Sequence, residues 1–323
     1  MELAYFNDII KSSKNILITS HVNPDGDTLG AMCGIYSLIK HNYKKKCEML
    51  LVSKLPKVYE FLPNIKVAKH LEKYDKSREY DLIINVDVAA LDRICDAQIL
   101  FQKAKITVNI DHHKTNISYA DLNFIEPDAS SASEVVYNIA LGLNWEIDID
   151  SAICLYTGIL TDTGSFRFNN TTSKALVAAA NLIDIGVVPD DMYKLCYENR
   201  SKTMVLFQAY CVSKAIFLDD NKIAYTTVYK KDIEKFNAEE DCTEGLTEKL
   251  RAISSTQIAF VAREMSNGWT KISMRSKVID IANICESFGG GGHKLASGCT
   301  IKCGVKEAVN RVLEKLGSKT CEK

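Results

Sequence analysis

The chain has 323 residues, 46% hydrophobic and 25% charged, with 40 Lys and Arg against 41 Asp and Glu. That length exceeds one modest core and calls for two domains, and the lack of any run of about 18 apolar residues excludes a membrane-spanning helix. The near-neutral balance also excludes the broad basic surface that grips long duplex nucleic acid, so a phosphate-bearing partner is expected to be short.

MELAYFNDIIKSSKN, at the start, lacks the basic, apolar and small-residue regions of a secretory signal. ILITSHV (16–22) is a β-branched apolar run that predicts a buried strand, and GAMCGIYSLIKHN (30–42) then has helical spacing. CEMLLVS (47–53), DLIINVDV (81–88) and KITVNID (105–111) read as three more strands, with helical segments between several of them. This alternation predicts a parallel α/β sheet. SSASEVVYNIALGL (130–143) carries a capping box, Ser131 with Glu134, so Glu134 reads as a helix cap rather than a catalytic acid. Asp150 is expected to cap the next helix, SAICLYTGILTD. A first domain is placed at residues 1–185 and a helical linker, containing Gly186 and Pro189, at 186–207. A smaller α/β domain follows at 208–323, with strands near IAYTTVY (223–229), IAFVARE (258–264) and TKISMRS (270–276). The 11 cysteines are odd in number and form no CxxC pair, which reads as reduced thiols in a cytoplasmic protein. Cys299 and Cys303 lack the second ligand pair that a zinc site needs.

In open parallel sheets, ligands bind beyond the carboxyl ends of the strands. One predicted strand runs into HVNPDGD, with His21, Asp25 and Asp27; another ends at Asp87, and a third at Asp111-His112-His113. Asp162 ends a predicted helix. Taken singly, each aspartate reads as a turn or capping residue and His21 as structural; the convergence of four element ends argues otherwise. Several carboxylates brought together repel unless cations intervene. Two divalent ions balance about four aspartates, and oxygen and imidazole ligands without thiolate suit Mn²⁺, with Mg²⁺ as the alternative. Such a pair, about 3.5–4 Å apart, clamps an in-line phosphoryl displacement in which a bridging water, as hydroxide, attacks phosphorus.

ICESFGGGGHKLASGCTI (284–301) places Gly289, Gly290, Gly291 and Gly292 directly before His293. A flexible linker is the bland reading; a shaped loop whose N–H groups crowd an anion is the sharper one. His293 and the guanidinium of Arg275, in SMRSK, would add donors. The dipole at a helix C-terminus works against an anion there. Arg167 and Glu244 read equally well or better as surface charges.

HVNPDGD, the Asp87 segment, DHH and the Asp162 segment resemble the four motifs of the DHH phosphoesterase superfamily over roughly residues 1–185, and Arg275-Ser276 with GGGGH resembles the DHHA1 domain over roughly 210–317. The resemblance implies an α/β fold: a parallel-sheet DHH domain plus a smaller α/β DHHA1 domain, with the active-site cleft between them. It places His21 and Asp25 on one cation, Asp27 and His112 on a second, and Asp87 with Asp162 as bridges. His113 would face the substrate phosphate and Asp111 would orient an imidazole, so that Asp87, Asp111, His112 and His113 form the catalytic set. Arg275, His293 and the Gly289–Gly292 backbone would bind nucleotide phosphate. The DHHA1 signature argues against the inorganic pyrophosphatase members, which carry a different second domain. The implied activity is hydrolysis of short oligoribonucleotides, pApA- or pGpG-type dinucleotides and 3′-phosphoadenosine 5′-phosphate to nucleoside monophosphates. A cyclic-dinucleotide phosphodiesterase is one alternative, and a DHHA1-type RNA-binding module without catalysis is another. No long duplex nucleic acid and no membrane is expected as a partner, and a homodimer is left open.

Overall fold

The computed structural model of the chain describes residues 2–318, in two compact units that divide between Asn199 and Arg200. The first unit runs α1 (Glu2–Ser12), β1 (Ile16–Thr19), α2 (Gly26–Tyr43), β2 (Cys47–Leu51), β3 (Lys69–His70), β4 (Leu82–Val86), α3 (Gln98–Lys103), β5 (Ile106–Asp111), β6 (Leu122–Ile125), α4 (Ala132–Gly142), α5 (Ile149–Asp162), α6 (Ser173–Ile185) and α7 (Pro189–Tyr193). Its six strands lie in the order β3-β2-β1-β4-β5-β6, every neighbouring pair parallel. The chain lays β1 to β3 outward in one direction, then returns to β4 beside β1 and proceeds in the other. The order therefore reverses between β1 and β4, and the crevice that opens there is the ligand position of a doubly wound sheet.

β1 and β4 are buried on both faces, which accounts for their mainly apolar runs, broken by Thr19 and Asn85. Ile16, Ile18, Ile84, Val108 and Ile110 pack into the larger core with the helices; Leu17, Leu50 and Ile83 face a smaller one with Leu100 and Phe101. β3 and β6 were not foreseen. β3 is two exposed residues and β6 a four-residue run with a polar member, so neither offers a period to read.

Helices α2 and α5 touch backbone to backbone. Glycines recur every fourth residue along one side of α2, at 26, 30 and 34, and a Cβ on Gly30 would lie 2.6 Å from the Cys154 carbonyl oxygen and 2.9 Å from the Gly158 nitrogen. α4 begins at the expected N-cap, with Ser131 Oγ accepting from the Glu134 N–H at 3.0 Å, while the Glu134 carboxylate accepts from Ser130 N at 2.7 Å, one residue before the cap, rather than from Ser131 N as a capping box would have it. The cap of α5 is Asp148, not Asp150: Asp148 has extended backbone and accepts from Ser151 N at 3.0 Å, whereas Asp150 is already inside the first turn.

Glu48, on β2, accepts from the Tyr74 hydroxyl, from Lys69 Nζ at 2.9 Å and from Arg78 Nη1 at 2.7 Å. Burial opposes its charge, but those hydrogen bonds outweigh it and hold the carboxyl down to about 2. A carboxyl lowered on folding stabilises the folded chain above the usual carboxylate range and loses that contribution as pH falls through its folded value. Glu48→Gln should thus weaken urea resistance at pH 7 and narrow its gap from the parent as pH drops from about 4.5 toward 2; a gap that is constant with pH would contradict this.

The second unit runs α8 (Lys202–Ser213), β7 (Ile216–Leu218), β8 (Ile223–Val228), α9 (Lys230–Phe236), α10 (Leu246–Arg251), β9 (Ile258–Glu264), β10 (Thr270–Ser276), α11 (Ala282–Glu286), β11 (Gly291–His293), β12 (Ala296–Ile301) and α12 (Val305–Lys315). Its sheet has the order β11-β12-β10-β9-β8-β7, antiparallel except for the β8–β9 pair. The architecture is therefore α/β in two domains, one with a parallel sheet and one with a mixed sheet. Among the described residues no helix is long and apolar enough to cross a membrane, and ten cysteines are free thiols.

Candidate metal centre

Each candidate ligand in the first unit owes its position to a backbone event at an element's end. After β1 the chain turns through His21 to Asp25, the N-cap of α2, whose Oδ1 accepts from Asp27 N at 3.1 Å and Thr28 N at 3.0 Å. The Asp25 carboxylate thus sits at the positive end of an 18-residue helix. Asp27 lies in the first turn and accepts from Ala132 N at 2.7 Å and Ser133 N at 2.9 Å, the opening N–H groups of α4. Beyond β4, Asp87 adopts φ 58°, a left-handed conformation uncommon outside glycine, while its N–H continues the ladder to Ile110 O at 2.9 Å.

β5 ends on Asp111, which is fully buried and triply bonded. Its Oδ1 accepts from His112 N and from His113 Nδ1, both at 2.8 Å, and its Oδ2 accepts from Asn116 Nδ2 at 2.6 Å. Asp111 therefore orients His113. Asp162 closes α5 and is held by Asn170 Nδ2, which donates to its carbonyl at 3.1 Å and to Oδ2 at 3.3 Å.

These side chains fall into three overlapping groups, the ligand atoms of each lying within 4.8 Å of one another: His21, Asp25 and Asp87; Asp27, His112 and Asp162; and Asp87, Asp111, His112 and His113. Asp87 joins them. Its Oδ2 lies 3.2 Å from His21 Nε2, and its Oδ1 lies 3.7 Å from His112 Nε2. Asp162 Oδ2 and Asp27 Oδ2 lie 3.7 and 3.9 Å from the same His112 nitrogen. Asp162 thus belongs with Asp27 and His112 rather than between the two groups.

The donor set fits divalent cations. Separations of 3.7–3.9 Å around His112 are too long for hydrogen bonds and suit groups that share one ion at about 2.1 Å from each. Asp87 Oδ1 is a buried carboxylate oxygen without a hydrogen-bond partner, an expensive state unless a cation satisfies it. The charges conflict as well. Burial and then the Asp87 charge push Asp27 up to about 7, and burial with the charges of Asp27, Asp25 and Asp87 raises Asp162 well above the carboxylate range. Asp87 itself, against its burial, is held down to about 2 by His21 and the other two imidazoles. Protons or cations must settle such a conflict, and metal ions do so by displacing protons. His21 Nδ1 lies 2.8 Å from the Val22 carbonyl oxygen, which fixes the tautomer that presents Nε2 to a ligand.

Three contributors escaped the sequence reading. The Thr28 hydroxyl sits 2.6 Å from both His21 Nε2 and Asp87 Oδ2 and 3.0 Å from Asp25 Oδ1. Asn116 and Asn170 hold Asp111 and Asp162. A threonine in a first helical turn and two loop asparagines have no distinguishing pattern, although Asn116 stands only three residues past the DHH triplet.

In the second unit, Arg275 donates through Nε to Glu248 Oε1 at 2.7 Å and through Nη1 to the Met274 carbonyl at 2.9 Å. The four glycines do not form one anion nest. Gly289 N donates to Glu286 O and Gly290 N to Cys285 O, both at 2.9 Å, so these two N–H groups finish α11. The strand β11 then pairs Gly291, Gly292 and His293 with Gly298, Ser297 and Ala296. Gly290 is obligatory because a Cβ there would lie 2.2 Å from the Gly298 carbonyl oxygen.

A carboxylate and imidazole centre at the switch point of a parallel sheet, able to hold divalent ions and coupled in one chain to a mixed-sheet domain, is the arrangement of a metal-dependent phosphoesterase. Residues 15–159 match the family model described as "DHH family, N-terminal domain", and residues 220–320 match that of the "DHHA1 domain". The chain is 31% identical over 293 residues to the probable bifunctional oligoribonuclease and PAP phosphatase NrnA of Streptococcus mutans, across 90% of either chain. It is 29% identical over 290 residues to the bifunctional oligoribonuclease and PAP phosphatase NrnA of Bacillus subtilis, across 88% of this chain and 89% of that one. Its fold is similar to the crystal structure of an exopolyphosphatase-related protein from Bacteroides fragilis, with a TM-score of 0.92, 27% identity, and coverage of 97% of this chain and 96% of that one. The chain belongs to the DHH–DHHA1 family of phosphoesterases.

Proposed function

We propose that this enzyme hydrolyses phosphoesters of short nucleotides (oligoribonucleotides of a few residues, pApA- or pGpG-type dinucleotides and 3′-phosphoadenosine 5′-phosphate) and releases nucleoside monophosphates. The observation that carries the reading is Asp87, whose two carboxylate oxygens face two separate groups of histidine and aspartate. His21 and Asp25 would hold one divalent cation, Asp27, His112 and Asp162 the other, and Asp87 both, with Mn²⁺ favoured over Mg²⁺ by the imidazoles. Bound there, the ions would supply an acidified water as nucleophile and would withdraw charge from phosphorus. The chain's own residues do the rest. Asp111 sets the orientation of His113, whose ring we assign to donate to the substrate phosphate, and α4's first N–H groups keep Asp27 pointed at the centre.

The substrate class rests on the names of the two NrnA relatives, on the near-neutral charge and on Arg275. Arg275, steadied by Glu248, would grip a phosphate remote from the scissile bond, aided by His293; Gly289 to Gly292 would shape that loop. Arg275→Ala should then raise KM for a diribonucleotide about tenfold or more while changing kcat less, the mark of lost substrate binding; an unchanged KM would remove Arg275 from the site.

The deciding assay is a substrate panel with Mn²⁺ and with Mg²⁺, from two to many nucleotides and including 3′-phosphoadenosine 5′-phosphate. Hydrolysis of the short members is expected. Failure on both a diribonucleotide and 3′-phosphoadenosine 5′-phosphate would refute the proposal. A higher kcat/KM for cyclic than for linear dinucleotides would reassign the enzyme as a cyclic-dinucleotide phosphodiesterase, and binding of structured RNA that survives chelation without turnover would make it a binding module.

A further inference from the structure

The central strands carry polar residues where a core would ordinarily place apolar ones. Asn85 on β4 and Asn109 on β5 are fully buried and directly in register, and Thr19 on β1 extends the row. Asparagine is a poor strand former, and each of these amides leaves its Oδ1 buried without a partner. Neither position serves stability alone. Their donors, however, converge. Asn109 Nδ2 reaches the Val88 carbonyl at 3.2 Å, and Tyr119 Oη, which accepts from Asn85 Nδ2 at 3.2 Å, donates to that same carbonyl at 3.0 Å. Asn116 Nδ2 lies 3.1 Å from it as well and 2.6 Å from Asp111 Oδ2. Val88 follows Asp87, whose left-handed φ of 58° requires its surroundings to hold it.

We propose that Asn85, Asn109 and Tyr119 are positioning residues for the cation centre: by gripping the Val88 carbonyl they hold the left-handed turn at Asp87, so that each of its carboxylate oxygens meets its own group of ligands. None of the three touches the centre; they act through the backbone. Through Asn116 the same carbonyl is tied to Asp111 and so to His113, which links the ligand beyond β4 to the histidine beyond β5. The inference rests on Asp87 being a cation ligand.

The test is Mn²⁺ binding, read from the loss of the free-Mn²⁺ electron paramagnetic resonance signal, together with metal-free thermal melting. Tyr119→Phe removes one hydroxyl, and Asn109→Val replaces a strand amide with a β-branched residue. Each should weaken Mn²⁺ binding about 10-fold or more, as loss of an orienting partner does, and Asn109→Val should melt no lower than the parent. Tyr80→Phe, a buried tyrosine whose hydroxyl contacts Tyr74 and Glu48 instead, should bind Mn²⁺ as the parent does. Parent-like Mn²⁺ binding in Tyr119→Phe, or equal weakening in Tyr80→Phe, would overturn the proposal. Asp87→Asn in the same assay separates the two levels. If it too binds like the parent, the ligand assignment itself has failed; if it alone loses Mn²⁺, only the positioning role has.

Discussion

Asp87→Asn should lower kcat/KM by about 10³-fold while the protein still folds. The substitution removes one negative charge from the side chain that faces both ligand groups, Oδ2 toward His21 and Oδ1 toward His112. Losing a shared ligand removes about 4 kcal/mol of charge stabilisation, which at 1.4 kcal/mol per tenfold is about three orders of magnitude. Asparagine is the informative replacement. It keeps the shape of aspartate and tolerates the left-handed backbone of residue 87, whereas alanine would add strain and confuse lost chemistry with lost structure. Fold integrity is read from metal-free melting, expected within about 3 °C of the parent. Undiminished hydrolysis would refute the ligand assignment.

The second large effect lies away from the chemistry. Gly30→Ala should destabilise the first unit by about 1–3 kcal/mol and also weaken cation binding. The added Cβ would lie 2.6 Å from the Cys154 carbonyl oxygen and 2.9 Å from the Gly158 nitrogen, both backbone atoms that have no rotamer to yield. Helix α2 must then move off α5, and the first turn of α2 carries Asp27 beside the Asp25 cap. Gly34→Ala is the control within the same helix. Its Cβ would meet Leu155 Cδ2 at 2.6 Å, a side-chain atom that can rotate away, and its gain in helix propensity is the same. Urea denaturation should therefore rank Gly30→Ala well below Gly34→Ala; equal midpoints would show that the close approach is not limiting.

How far the fold was readable depended on how much local pattern each element carried. β1, β2, β4 and β5 are mainly apolar, with most of their residues buried, so they stood out; β11 is two glycines and a histidine, a strand only because β12 lies beside it. The choice between Asp148 and Asp150 as the cap of α5 could not be made by residue type, since both favour the position and only backbone conformation separates them. The four-residue glycine spacing along α2 was visible but carried no meaning until its partner helix was known.

The candidate ligands were conspicuous for a simpler reason: each sits beside an element end, and parallel strands bring their ends together. What the residues could not disclose was the accounting of hydrogen bonds. The glycine run looked like a nest, yet two of its N–H groups close α11. The DHH triplet read as three residues with separate tasks, but it did not say which imidazole Asp111 would hold. In the structure Asp111 is fully buried and fixes His113, while the His112 nitrogen sits among Asp27, Asp87 and Asp162. Thr28, Asn116 and Asn170 became visible only through the distances that place them at the centre.

Anomalous diffraction from crystals soaked in Mn²⁺ tests the central claim most directly. The account predicts two Mn²⁺ peaks on either side of Asp87, one contacted by His21 and Asp25 and the other by Asp27, His112 and Asp162. A single peak, or a second ion held by His113 in place of His112, would contradict it.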